Sequence, residues 1–338
     1  MRKFLFASIA FFSLAMALTG CSSKSDKPLN SPPVASEKST ETTLDKTSDF
    51  SDFNTNERAY AVMIDNDGNS SRPHAGLEDA YIIYEMYVEG NSTRLMAIFK
   101  GADTPKIGPV RSSRHYFLDY VLDNDALYAH AGFSPLAMEQ IETMNVDNMN
   151  GLVYEPTYYW RERKYNGDYH SLFTSISNLN NLADALGYEK TSEVLPFKFS
   201  AEAPIYEGEA ATDITIPYAP FYYVAYKYDA DTGLYDRYIN SEPHPTQSGA
   251  RLSAGQIIIQ FASNYSLGDG SHRQELETTG RGEGIFIANG VQTPITWRRA
   301  SRTSQLKFYT KDGKELVLDS TKQTYVQVMP KSLGYTIK

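Results

Sequence analysis

Apolar residues fall along this chain in three textures. One unbroken apolar run follows Arg2 and Lys3 and ends in small residues before Cys21. A polar stretch, 22–56, then carries Ser, Thr, Pro and Lys and almost no large apolar side chains. From Ala59 onward, short apolar segments alternate with polar turns. In that third texture YAVMID, TRLMAIFKG and DALYAHAGF read as strands, and EDAYIIYEMYVEG is a further apolar segment. KIGPVRSSRHYFLDYVLDN reads as a turn followed by a helix that begins near Arg111 and Arg114, because Tyr116, Phe117, Tyr120 and Val121 recur at helical spacing. SPLAMEQIETMN opens with Ser134 as N-cap and Pro135 at the first helical position, with Ala137, Ile141 and Met144 as its apolar stripe. SISNLNNLADALGY is another helix, ending at Gly187. Strands alternating with helices predict an α/β domain, a mixed sheet with flanking helices, over 57–205.

After the connection LPFKFSAEAPIYEGEAATD the pattern changes. FYYVAYKYD, LYDRYIN, QIIIQFAS, GEGIFIAN, ELVLD and TYVQVMP all read as strands. Asp231-Thr232-Gly233, Asn289-Gly290 and Asp312-Gly313 mark the turns, and Asn-Gly and Asp-Gly are hairpin signals. A mostly antiparallel β domain is therefore expected over 213–338. The glycine-rich GRGEG, 280–284, lies between strands and is expected as a bulge or turn.

The N-terminus has the charged, apolar and small-residue regions of a secretory signal, 1–20. Its end, Leu18-Thr19-Gly20-Cys21, is similar to the lipobox of bacterial lipoproteins. That resemblance implies cleavage before Cys21 and acylation of its sulfur. It places the protein on the extracytoplasmic face of the cell membrane, held by lipid, with 21–56 as a disordered tether. Cys21 is the only cysteine, so no disulfide forms within the chain. The net charge of -9 excludes a general nucleic-acid surface. The 25 tyrosines against 2 tryptophans fit strand-rich structure. The 6 histidines include no HExxH and no i,i+4 pair, which argues against zinc. There is no P-loop and no GxSxG.

Candidate chemistry gathers in the first domain. Asp65 ends the first strand, Arg72 lies in the next loop, and Asp79 and Glu85 follow. Arg94 opens a strand, Arg111 and Arg114 precede an aromatic run, and His130 ends a strand. Arg161, Arg163 and His170 lie in the irregular YYWRERKYNGDYHSLF. Strand ends in an α/β sheet gather ligands at one edge, and guanidinium forks match phosphate or carboxylate. Arg72, Arg111 and Arg114 are thus candidate anion ligands, and Asp65, Asp79 and Glu85 candidate metal ligands or acid/base groups. Arg111 and Arg114 also fit ion pairs with Asp119, Asp123 or Glu85 that would only brace the fold.

The chain resembles the YerB-type bacterial lipoproteins, a family of unknown function. The resemblance rests on SRPHAGLEDAYIIYEMYVEGNSTRLMAIF, IGPVRSSRHYFLD and YAHAGFSPLA in the first domain. In the second it rests on GEGIFIANGVQTPITWRRASRTSQLKFYTKDGKELVLD and TYVQVMP. It implies a two-domain extracytoplasmic lipoprotein, mainly of Gram-positive type, and no established reaction. The order MID, SRPHAGLED, PVRSSR and HAGFSPLAMEQI also resembles the LytR-CpsA-Psr phosphotransferases, which act on polyprenyl-pyrophosphate-linked glycopolymers. That resemblance implies Mg²⁺ near Asp65 and Asp79, pyrophosphate at Arg72, Arg111 and Arg114, and a polyprenyl-phosphate or cell-wall partner. It departs from the pattern at Ser112, where the family has an acid, and in the intervening 73–77. The expected function is a cell-envelope binding or accessory protein with an Arg-lined phosphate or pyrophosphate site. The alternatives are a glycopolymer phosphotransferase-like or peptidoglycan-acting enzyme, and a protein-interaction lipoprotein with no small ligand.

Overall fold

The first three strands form Tyr60–Asp65 (β1), Ile82–Tyr87 (β2) and Thr93–Phe99 (β3), and every residue in them is buried. Continuous burial is what strands covered on both faces require, and it explains their near-unbroken apolar runs. The computed structural model describes Phe53, residues 55–162 and residues 169–338. Cys21, Arg163 and the signal segment lie outside the described residues. Further along come the short helix Leu118–Asp123 (α1), the strand Leu127–His130 (β4) and the helix Pro135–Thr143 (α2). Asn148–Asn150 (β5), Gly151–Tyr154 (α3) and Ile176–Leu186 (α4) complete the α/β part. Ser134 caps its helix as expected, and Ser175 caps the last one. Ser134 Oγ accepts from the Ala137 N–H at 3.2 Å, and Ser175 Oγ from the Asn178 N–H at 3.1 Å. Gly187 closes α4 in the left-handed conformation, φ 69°.

One sheet runs through both expected domains. Its order is Lys307–Tyr309, Val291–Arg299, Gly280–Ala288, Gln256–Phe261, Thr324–Met329, β2, β3, β1, β4, β5, with Glu209–Ala210 beside Val291–Arg299. The crossing point is β2, which pairs in parallel with Thr324–Met329. The architecture is mixed α/β at first and mostly antiparallel β afterwards. A second, antiparallel sheet holds Glu242–Pro243, Leu234–Ile239, Tyr222–Asp229, Asp213–Ala219 and Thr336–Ile337. Both sheets and the helices share one apolar core. At about 1.5–3 kcal/mol per fully buried large apolar side chain, that core is the main stabilising term in a chain without disulfides.

The segment 109–113 differs from the expected helix start. It is extended and wedges between β1 and β4 at their carboxyl ends. The Asp65 N–H donates to Pro109 O, the Arg111 N–H to Met63 O, and the Ala131 N–H to Arg111 O, each at 2.9 Å. β1 and β4 are parallel only as far as Val62 and Ala129, where the wedge enters. The helical stretch opens with a 3₁₀ turn at His115–Phe117, capped by Arg114, and continues as α1 from Leu118, so its start falls at Arg114 and Arg111 lies outside it. The helical spacing of Tyr116, Phe117, Tyr120 and Val121 holds, and long-range backbone pairing keeps only the residues before Arg114 extended. GRGEG is likewise no turn. It pairs residue for residue with the neighbouring strand, from Gly280 opposite Arg299 to Gly284 opposite Ile295. A methyl group on Gly282 would lie 2.5 Å from Trp297 Nε1, and one on Gly284 2.6 Å from Ile259 O, so close packing explains those two glycines.

Candidate functional site

Asp65 closes β1 with a carboxylate 1 % exposed. His170 Nδ1 hydrogen-bonds its Oδ2, and Arg111 Nε lies 3.3 Å from the same oxygen without hydrogen-bond alignment. Burial opposes ionisation of this carboxyl. The His170 hydrogen bond and the charges of Arg111 and Arg94 outweigh it and hold Asp65 below the ordinary carboxylate range. Arg94 stands opposite Asp65 in the β1–β3 register and donates from Nη1 to Ser112 O at 2.6 Å. Burial, then the nearby Arg114 charge, pulls Arg94 down to about 10, which leaves it a cation at neutral pH. Arg114 forks onto Glu89, at 2.5 and 2.7 Å, and donates to Ser112 Oγ at 3.1 Å and Ser113 O at 2.7 Å.

The carboxyl-end edge of β1 and β4 therefore collects three guanidiniums, from Arg94, Arg111 and Arg114, against two carboxylates, from Asp65 and Glu89. Ser112 links Arg94 to Arg114. Arg94 Nε and Arg111 Nε are buried and make no hydrogen bond among the described residues. Arg111 keeps about a quarter of its side chain exposed, beside the Tyr169 ring at 5.7 Å. Parallel β1, β4 and β5 end at this edge, the place where open α/β sheets take ligands.

Other candidates are held by different partners, and Arg72, though close enough to feel the Asp65 charge, is among them. Arg72 is committed to its own loop: it donates to Gly68 O at 2.7 Å and to Asn66 O and Oδ1 at 3.0 and 2.8 Å, and lies over the Tyr222 ring. Asp79 accepts from Thr104 Oγ1 at 3.0 Å and sits at the opposite end of the sheet. Tyr81, two residues on, bonds Ile98 O, whereas Asp65 pairs with Arg94. At about 3.3 Å per strand residue, more than 10 Å separates the two ends. Asp65 and Asp79 cannot share a Mg²⁺, and the described residues contain no group of three or more potential metal ligands. His130 is buried, bonded to Gly132 O at 2.9 Å, and pushed down by burial to about 4. Arg161 forks onto Glu155 at 2.7 and 3.1 Å. The acids expected to brace Arg111 and Arg114 serve other arginines. Asp119 pairs with Arg302, Asp123 with Arg299 and Glu85 with Arg237.

Glu85 proves to be the centre of a closed network. Both it and Arg237 are 0 % exposed, 2.7 Å apart. Glu85 also accepts from Thr93 Oγ1 and the Tyr222 hydroxyl, each at 2.7 Å, and these in turn accept from Asn66 Nδ2. Arg237 Nε donates to His244 Nδ1 at 3.0 Å, which fixes the tautomers downstream. His244 Nε2–H must then donate to His74 Nδ1 at 2.7 Å, and His74 Nε2–H to Asp65 O at 2.6 Å. Both imidazoles are neutral. Burial, then the Arg72 charge, pushes His74 down to about 3, and burial with His74 holds His244 well below its usual range. The relay ends on the backbone of the residue whose carboxylate faces Arg111. Arg237 was legible in hindsight: in LYDRYI the inward positions alternate as Tyr235, Arg237 and Ile239, placing a charge on the buried face.

Two family models match in order: the N-terminal domain of a protein of unknown function (DUF3048) over residues 47–189, and its C-terminal domain over 214–326. The chain belongs to the DUF3048 family. It is 27% identical over 279 residues, 82% of each chain, to a protein of Bacillus subtilis (strain 168) named "Putative lipoprotein YerB". The crystal structure of YerB from Bacillus subtilis superposes with a TM-score of 0.74 at 26% identity, covering 83% of this chain and 94% of that one. The LytR-CpsA-Psr resemblance gains no support from these matches. Asp65, Arg94, Arg111, Arg114 and His170 all fall in the DUF3048 N-terminal segment. The relay joins that segment, through Glu85 and His74, to Arg237 and His244 of the C-terminal segment.

Proposed function

We propose that this DUF3048 protein is a lipid-anchored, extracytoplasmic binding or accessory protein of the cell envelope, whose Arg94, Arg111 and Arg114 hold a phosphate or pyrophosphate group. The observation that carries this reading is the surplus of guanidinium charge gathered at the carboxyl ends of β1 and β4 in a chain that is otherwise acidic. The lipobox at Cys21 and a relative named as a lipoprotein support the anchoring. No helix among the described residues is long and apolar enough to cross a membrane. Isothermal calorimetry of the mature chain with inorganic pyrophosphate tests the site. Binding heat that weakens with salt, disappears in Arg111→Ala and persists in Arg161→Ala is the expected outcome. Equal heats in all three, or none in the native chain, would refute it.

A second reading, an enzyme of glycopolymer transfer or peptidoglycan cleavage, is favoured by the contact of His170 with the Asp65 carboxylate beside Arg111. A carboxylate orienting an imidazole is the arrangement general acid–base catalysis uses. Product release from a labelled lipid-linked phosphate, lost in His170→Asn while pyrophosphate binding is kept, would select this reading over binding alone.

A further inference from the structure

At the other end of β1 and β3 the fold leaves a cleft of about 480 Å³, within the range of about 300–1,000 Å³ that small-molecule sites occupy. The register fixes its place. Tyr60 stands opposite Phe99 at the cleft, whereas Asp65 stands opposite Arg94 at the arginine edge, about 16 Å along the strand. One wall forms where the chain returns from α4. There the Arg58 N–H donates to Lys190 O at 2.7 Å and the Ser192 N–H to Asn56 O at 2.8 Å. Ile176 and Asn180 of α4 form another wall, and Lys100 enters directly after β3. Glu57 and Asp103, both exposed, also line the cleft.

The polar groups here are only partly satisfied. Lys100 is 6 % exposed, and its Nζ makes one hydrogen bond among the described residues, to Ser192 O at 3.1 Å. An ammonium has three protons to donate, so two are left over. Burial lowers the Lys100 pKa, and the charges of Asp125 and then Glu57 raise it in part, which places Glu57 within reach of that ammonium's field. The Tyr60 hydroxyl donates to Asn180 Oδ1 at 2.6 Å and so leaves Asn180 Nδ2 to donate elsewhere. Arg58 has no such capacity, since Asp125 and Asp147 take its guanidinium at 3.1 and 2.7 Å. We infer that this cleft binds a small zwitterion, a free amino acid or short peptide, with its carboxylate at Lys100 and Asn180 and its ammonium at Glu57 and Asp103. A simple anion would meet Lys100 but be repelled by the two carboxylates, and a simple cation would be repelled by Lys100. One molecule carrying both charges meets both. Phe99 and Ile176 add apolar surface suited to an aliphatic side chain. The site is separate from the arginine edge and does not depend on it.

Calorimetry of the mature chain with glycyl-leucine and with free leucine tests the cleft. At least one of the two is expected to bind, and the tighter of them says whether a peptide or an amino acid is the ligand. Blocking either charge should weaken binding by about tenfold or more, since each block removes a charge-assisted hydrogen bond. The blocked forms are N-acetylglycyl-leucine and N-acetylleucine, which lack the ammonium, and glycyl-leucinamide and leucinamide, which lack the carboxylate. Lys100→Met should erase the preference for a free carboxylate. Should that variant fail to fold, Glu57→Gln/Asp103→Asn, at exposed positions, carries the test. It should erase the preference for a free ammonium and leave the thermal midpoint unchanged. Arg111→Ala should bind as the native chain does. No binding of glycyl-leucine or leucine, equal binding of the blocked and free forms, or preferences that survive the substitutions in the cleft would overturn the zwitterion site and leave the arginine edge standing. Binding lost in Arg111→Ala would move the ligand to that edge and overturn the cleft.

Discussion

Two constellations in this molecule use the same residue types, arginine, carboxylate and histidine, and differ in how far they are closed. Around Glu85 and Arg237 both charges are fully buried and the carboxylate is met from every side by Arg237, Thr93 and Tyr222. Around Asp65 the carboxylate is equally buried, but Arg111 reaches outward and guanidiniums outnumber carboxylates. A closed network has no capacity left for a ligand. Its use is to join the two DUF3048 segments in one register, because misdocking would leave a charge buried alone. An open, cation-rich edge stays ready for an anion. The relay through His244 and His74 ties the second to the first at the Asp65 backbone.

The contrast breaks most visibly at Glu85. Glu85→Ala leaves the Arg237 cation buried without its partner and should destabilise the protein by about 3–5 kcal/mol in urea unfolding. Adding Arg237→Met should restore much of that loss. A loss below about 1 kcal/mol for the single change would mean that the network is not closed. Acid should come next. His74 and His130 fold with values of about 3 and 4 against 6.5 in the unfolded chain, so the unfolded state takes up protons first. Their contribution is complete above pH 6.5 and is lost as pH falls toward those values, by about 2.5 kcal/mol each at pH 4.5. Asp123, raised by burial to about 6, acts with the opposite sign, its contribution present at low pH and lost as pH rises through that value, and so offsets part of the loss. Thermal midpoints from pH 7 to 4.5 check the net decline, and His130→Asn should flatten it.

At the open edge the effects on stability shrink. Arg114→Ala breaks a part-exposed fork with Glu89 and should cost about 1 kcal/mol or less. Arg111→Ala should be smaller still, since its ion pair with Asp65 lacks hydrogen-bond alignment. A large destabilisation by Arg111→Ala would make that residue a brace and remove the difference between the two regions.

What was legible in the sequence follows the range of the interactions. Asp65 and His130 were placed at strand ends and Arg94 at a strand start, because apolar runs mark buried strands locally. Asn289 and Gly290 have the paired positive φ values, 53° and 78°, that their hairpin signal implies. Ser134 and Pro135 open α2 as read. The helix start at Arg111 failed because segment 109–113 takes its hydrogen bonds from Met63, Asp65 and Ala131, and local spacing cannot show such partners. Glu89 escaped notice as the Arg114 partner, 25 residues away, as did Arg237 and His244, whose partners Glu85 and His74 lie 152 and 170 residues away. Local patterns thus mark the edge of the site, and the network behind it depends on partners far apart in the chain.

The central claim is that the Arg94, Arg111 and Arg114 edge is an open anion site. Crystals of the mature chain soaked in tungstate, an oxyanion visible by its anomalous scattering, test it most directly. The account predicts an anomalous peak within hydrogen-bond reach of the Arg111 and Arg94 guanidiniums, absent from crystals of Arg111→Ala. A native crystal with no peak there, and with Arg111 folded flat onto Asp65, would contradict it.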